Sequence, residues 1–271
     1  VPCDGRAFGE IIDDLRGERG SSLEVTIRRN GDAEDRVYKM VREVIPISTV
    51  SGQQRNDDGT WVLELPGHAD IAYVEITDIV GSTAAELIEM ARKIEKQKFR
   101  AVILDFTRMS EHSVPDIHHA IMLADALLGE AQIGELYTRD NQTEIRTQPD
   151  HVLANTPLVI FTPRVASGPG FLVLAALANQ GRAKLVGPRL TSRGLCTKSV
   201  ELDGLGAINQ LPYAVAVPRG KELSPTETAS QFENHLSQLS ECLTLIPDAI
   251  VEDASKMENY LKPALELLQQ P

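Results

Sequence analysis

Residues Pro157–Gly194 read PLVIFTPRVASGPGFLVLAALANQGRAKLVGPRLTSRG, and their pattern decides the fold class. Leu158–Thr162 is a short apolar run bounded by prolines, which marks a buried strand. Pro163–Gly170 is an elbow. Gly168 and Gly170 permit dihedrals closed to other residues, and Pro169 stands where a first helical residue would, its missing N–H costing nothing there. Phe171–Gln180 reads as a helix that Gly181 stops in a left-handed cap, and Ala183–Gly187 as a second strand. A strand–elbow–helix unit is where many enzymes expose a nucleophile, so the residues of this elbow carry the functional question.

Outward from the elbow, strands and helices alternate. Upstream lie strands at Trp61–Leu65, Ile71–Ile76 and Ala101–Phe106. Between the last two is an amphipathic helix, Ser82–Gln97, with Ser82 as N-cap and Leu87, Ala91 and Ile94 on one face. A second helix at Pro115–Leu128 and a strand at Ile133–Thr138 lead into the elbow. Downstream come strands at Cys196–Leu202, Gly206–Gln210 and Tyr213–Val217, then a polar helix at Ser224–Leu243. A strand at Ile246–Val251 and a closing helix at Ser255–Gln270, broken or shifted at Pro263, complete the chain. Helix and strand in alternation at these lengths predict a layered α/β core over residues 61–271.

The first 45 residues have a different character. A turn at Asp4-Gly5, a helix over Phe8–Leu15 and two strands, Leu23–Arg28 and Arg36–Val44, resemble the second half of a PDZ domain. The resemblance is carried by Asp4-Gly5-Arg6, by the helix end Leu15-Arg16-Gly17 and by the strand Leu23-Glu24-Val25-Thr26-Ile27-Arg28-Arg29. PDZ domains hold peptide C-termini through a carboxylate-binding loop and an edge strand. Both would lie upstream of Val1, so the expectation is a truncated or processed chain; alternatively, the fragment packs on the main body as a lid. Residues 46–60 read as a polar linker.

Composition narrows the classes. A formal charge of −12 argues against a nucleic-acid backbone or an anionic membrane as the main partner. Three cysteines without CxxC spacing form neither a disulfide framework nor a zinc site, and no apolar run reaches the ~18 residues of a membrane span. Aromatic residues are 4% of the chain, so Val, Ile, Leu and Ala must fill the core. No cofactor is assigned.

Taken together, the chain resembles the C-terminal processing peptidases (tail-specific proteases), in which a PDZ domain accompanies a crotonase-like α/β core. The likeness is carried in order by Ile71-Ala72-Tyr73-Val74-Glu75-Ile76, Ala84-Ala85-Glu86-Leu87, Ala101-Val102-Ile103-Leu104-Asp105 and Pro157-Leu158-Val159-Ile160. It continues through Asn179-Gln180-Gly181-Arg182-Ala183, Leu185-Val186-Gly187, Ile246-Pro247-Asp248-Ala249-Ile250-Val251 and Ala264-Leu265-Glu266-Leu267-Leu268. The resemblance implies a serine nucleophile on the elbow, a lysine base about two dozen residues later and a polar residue four further on. In this chain those positions hold Gly168, Arg193 and Thr197. Glycine has no side chain, and an arginine does not deprotonate in a protein. The family's oxyanion donors fall on Pro169, which has no N–H, and on the loop after Asp105, where Glu111 and His112 stand at glycine positions. Losing one such donor costs roughly 3–4 kcal/mol in the barrier.

The expectation is a non-catalytic homologue that binds a protein or peptide partner or forms a homo-oligomer. An active endopeptidase with its nucleophile displaced to Ser167 is the alternative, and it needs a lysine, such as Lys198 or Lys184, within reach. A third reading is a small-ligand pocket in which Arg193 grips an anion. The cluster Glu111, His112, Asp116, His118 and His119 invites a metal, but His118 and His119 point about 100° apart on a helix; a solvated helix start is the plainer account, and no metal is assigned. Cys196 reads as an inward-facing strand residue, and Phe232, Leu236, Leu239 and Leu243 as a helix face packed on the core. The resemblance implies export to a periplasm or plastid lumen; that expectation rests on the resemblance alone.

Overall fold

The computed structural model describes residues 3, 5–29, 34–43, 48–109, 116–137, 142–166, 168–192, 198–202, 206–210, 213–216 and 243–269. The chain divides into two compact units, Val1–Ile47 and Ser48–Pro271. Residues 48–60, read from sequence as linker, therefore belong to the second unit and carry two of its short strands.

The first unit is a helix, α1 (Phe8–Leu15), followed by an antiparallel pair, β1 (Ser22–Ile27) and β2 (Arg36–Val41), in register from Ser22↔Val41 to Ile27↔Arg36. Its internal tie is Arg42. The guanidinium donates to the Leu15 and Asp14 carbonyls at the C-terminal end of α1 and to Ser21 Oγ and the Ser22 carbonyl at the start of β1. A cation at a helix C-terminus is favourable by the dipole and meets carbonyls that no N–H fills. No described residue of this unit is buried.

The second unit opens with four short strands, β3 (Val50–Ser51), β4 (Gln54–Arg55), β5 (Trp61–Val62) and β6 (Glu64–Leu65). Trp61–Leu65, expected as one strand, is two: β5 pairs with β4, β6 pairs with the following strand, and buried Leu63 marks the change of partner. Then follow β7 (His68–Ile76), α2 (Thr83–Gln97), β8 (Ala101–Asp105), α3 (Ile117–Leu127), β9 (Gln132–Tyr137), β10 (Gln142–Arg146), β11 (Leu158–Phe161), α4 (Gly168–Asn179) and β12 (Ala183–Gly187). The chain continues with β13 (Leu190–Ser192), β14 (Lys198–Leu202), β15 (Gly206–Gln210), β16 (Tyr213–Ala216), β17 (Leu243–Leu245), β18 (Ala249–Ile250) and α5 (Met257–Leu267).

The main sheet runs β18-β12-β11-β8-β7-β3, with β6 also on β7. The ladders from β7 through β8, β11 and β12 to β18 are parallel, while β3 and β6 run antiparallel to β7. Strands covered on both faces need apolar side chains in both directions. Alternate residues accordingly serve two cores. Ala72, Val74, Val102, Leu104, Ile160 and Leu185 pack with α2, α3 and α4, whereas Ile71, Tyr73, Ile103, Val159, Phe161 and Val186 pack with Tyr260 and Ala264 of α5. β10, β9 and β16 form a separate antiparallel sheet, β14 pairs with β15, and β13 pairs with β17.

Two helix ends depart from expectation. Ser82 precedes α2 but its side chain makes no capping bond, whereas Asp116 caps α3 by accepting from the His118 N–H at 2.8 Å. α5 runs unbroken through Pro263, its buried side chains Tyr260 and Ala264 outweighing the one lost backbone bond. Gly181 ends α4 with φ +69°, as its position predicts. Of the helix expected over residues 224–243, all but Leu243 lies outside the described residues, as does Cys196; Leu243 opens the strand β17 instead of closing a helix. Among the described residues no helix is long and apolar enough to cross a membrane.

Candidate functional site

The elbow lies at the C-terminal ends of the parallel strands, where open α/β sheets expose their loops. β11 is flanked by β8 and β12, with Phe161 opposite Asp105 and Val186. The Phe106 N–H donates to the Phe161 carbonyl at 3.0 Å and the Thr162 N–H to the Val186 carbonyl at 2.9 Å. The loops leaving β8 and β12 therefore start on either side of the elbow. The geometry brings the ends of β8 and β12 to the root of the elbow that leads to Gly168.

From Thr162 the chain turns through exposed Arg164 and Val165, buries Ala166, and enters α4 at Gly168. The helix starts three residues earlier than its apolar run predicts: Gly168, Pro169 and Gly170 are helical and buried, so Pro169 is the second helical residue. Glycine and proline are poor helix formers, but every residue from Gly168 to Leu177 is buried, and tertiary packing overrides propensity. Pro169 removes one of the four N–H groups that a helix start leaves free for an anionic group. Gly168 presents no side chain. Ser167, Glu111, His112, Arg193 and Thr197 lie outside the described residues, as does the loop between Met109 and Asp116.

Beside the elbow stands a carboxylate the sequence reading did not single out. Asp105, the last residue of β8, is fully buried. Its Oδ1 accepts the Thr107 N–H at 2.7 Å, turning the chain into the following loop, and its Oδ2 accepts the Tyr73 hydroxyl. Burial, and then the charge of Asp105, push the Tyr73 hydroxyl well above the ordinary tyrosine range. The Tyr260 hydroxyl, donating to the Thr162 carbonyl at 3.4 Å, is pushed up by burial first and Asp105 second, with Arg164 opposing. Arg108 pairs with Glu75 at 3.3 Å on the rim of the same strand ends. The available signal was an acid closing the apolar run Ala101-Val102-Ile103-Leu104-Asp105, two positions diagonal to Tyr73 once the register is known.

His118 is exposed and His119 half-buried against Gly81. Among the described residues no group of three His, Cys, Asp or Glu side chains is arranged to hold a metal ion.

The family model described as peptidase family S41 matches residues 70–229, more than half of the chain. The carboxyl-terminal-processing protease of Picosynechococcus sp. is 22% identical, over 94% of this chain and 57% of that protein. The carboxyl-terminal-processing peptidase 3, chloroplastic, of Arabidopsis thaliana is 23% identical, over 95% of this chain and 50% of that protein. The chain thus spans about half the length of the curated relatives it matches. The solved structure of a photosystem II D1 C-terminal processing protease superimposes with a TM-score of 0.51 at 16% identity, over 98% of this chain and 64% of that one. At that identity the likeness is one of fold.

Proposed function

The chain belongs to peptidase family S41, and from that premise we propose that it is a non-catalytic member, a pseudopeptidase that works by binding protein. The observation that carries the reading is the Gly168-Pro169 pair opening α4. The family's nucleophile and one of its oxyanion donors both fall there, and neither residue supplies its group. In sequence, Arg193 at the base position and Glu111-His112 in the oxyanion loop extend the same loss. Four devices altered together leave nothing to form or stabilise a tetrahedral intermediate.

The partner is a protein or peptide, a second copy of this chain included, met outside the compartment of synthesis. The chloroplastic relative supports export. The test is incubation with an unstructured polypeptide, following binding by fluorescence anisotropy and cleavage by mass spectrometry. Binding without new termini is the expected result. New termini, or no binding of polypeptide in any form together with a monomeric sedimentation profile, would refute the proposal.

An endopeptidase using Ser167 is the second reading. It is favoured by the position of Ser167 immediately before the first residue of α4.

A further inference from the structure

The chain passes from the first unit to the second between Ile47 and Ser48. The residues just past that joint are held in an unusual way. One oxygen of Glu86, in the first turn of α2, accepts three donors from consecutive residues: Ser48 Oγ at 2.8 Å, the Thr49 N–H at 2.9 Å and the Val50 N–H at 3.2 Å. Two adjacent backbone N–H groups converging on one carboxylate oxygen form a small anion nest, and an ionised acceptor makes each bond stronger than a neutral one would.

The remaining attachments are mostly polar, among them Ser51 Oγ donating to Glu75 at 3.4 Å and Thr77 Oγ1 to the Thr49 carbonyl at 3.5 Å. Thr49 Oγ1 lies 2.7 Å from Thr83 Oγ1 in a buried position. Thr83 Oγ1 also lies 3.2 Å from the Asp78 carbonyl. The Thr77 N–H donates to the Thr49 carbonyl, and β3 adds two ladder positions, Val50↔Ile76 and Ser51↔Glu75. Val50 is the segment's only buried apolar side chain. Burial pushes the Glu86 carboxyl up, but hydrogen bonds from Ser82, Ser48, Thr49 and Val50 outweigh it and leave the group below the ordinary range, in keeping with a carboxylate that is charged when docked.

We propose that Ser48–Ser51 is a strap that docks and releases as a local unit, with the Glu86 carboxylate as its catch. Segments held by few buried apolar contacts open at lower free energy than the core strands around them. The three donors end on one atom, so the loss of that atom frees both N–H groups at once, while Ser48 Oγ keeps the Val50 carbonyl at 2.9 Å as an acceptor. The device sets how firmly the chain is fixed where it enters the second unit, and it is independent of whether the elbow is catalytic.

The chain carries its own reporter. Trp61 is the only tryptophan, and its Cβ lies 3.0 Å from where a Cβ on Gly52, the residue after β3, would stand. The test is hydrogen–deuterium exchange of the full chain and its Glu86→Ala and Glu86→Gln variants, with Trp61 emission read on the same samples. Amides of Thr49–Ser51 are expected to exchange at least tenfold faster in Glu86→Ala, with a shift in Trp61 emission and unchanged protection in β8 and β11. Glu86→Gln, which keeps an oxygen but not the charge, falls between. Unchanged protection at Thr49 and Val50 in both variants would overturn the proposal. So would protection lost equally from β8 and β11 in both, since the opening would then be global.

Discussion

A Cβ on Gly187 would stand 2.0 Å from Oγ1 of Thr162, and the backbone there has φ +152°. The last residue of β12 and the first beyond β11 thus approach so closely that only glycine fits, at the root of the elbow. Gly187→Ala is expected to destabilise the second unit by about 2–4 kcal/mol, combining overpacking with backbone strain. Urea denaturation measures it. Adding Thr162→Ala should recover part of the loss by removing Oγ1, leaving the backbone cost; no recovery would mean that the strain alone accounts for it.

Glu95 and Arg182 both hold the backbone of Leu153, one at its N–H and the other at its carbonyl. Leu153 is buried with φ +58°; its N–H donates to Glu95 at 2.7 Å and its carbonyl accepts from Arg182 at 2.5 Å. Arg182 also donates to the Leu127 and Thr156 carbonyls, tying the end of α3 and the loop before β11 to the start of β12. Arg182→Met should cost about 2–3 kcal/mol by orphaning these acceptors. In a double-mutant cycle with Glu95→Gln the two should couple, although the side chains are joined only through Leu153. Strict additivity would sink the idea of a shared clamp.

Tyr73 donates to buried Asp105. Tyr73→Phe is expected to cost about 1.5–3 kcal/mol, the range for a hydrogen bond to a charged group. The folded pKa of Tyr73 is raised, so above about pH 10 the unfolded chain gives up a proton that the folded chain keeps. Stability that is fully present below that pH is therefore lost as pH rises, by up to about 1.4 kcal/mol per pH unit for this group. Denaturation profiles from pH 8 to 11 should fall more steeply for the parent chain than for Tyr73→Phe. Parallel profiles would contradict the assignment.

The legible parts of the fold were those where one physical demand dominated. Leu158–Phe161 and Ala101–Leu104 are apolar throughout because both faces are covered, and α2 shows its buried stripe at helical spacing. β10 was missed because Gln142-Thr143-Glu144-Ile145-Arg146 buries only Ile145 among its described side chains. β13 and β17, three residues each, are held by their pairing and carry too little pattern to read. The start of α4 was misplaced because Gly168-Pro169-Gly170 is helical by burial, against local preference. At the site, sequence pointed to the elbow and to the residues missing from it. The Tyr73–Asp105 bond was invisible because it depends on a register between strands about thirty residues apart.

The most direct test of the central claim is a cleavage assay on an unstructured protein substrate, comparing the parent chain with Ser167→Ala. Neither is expected to generate new termini. Gly168→Ser combined with Arg193→Lys should stay inactive as well, because Pro169 still withholds an oxyanion donor. Cleavage by the parent chain that disappears in Ser167→Ala would place a working nucleophile one residue before α4 and contradict the account.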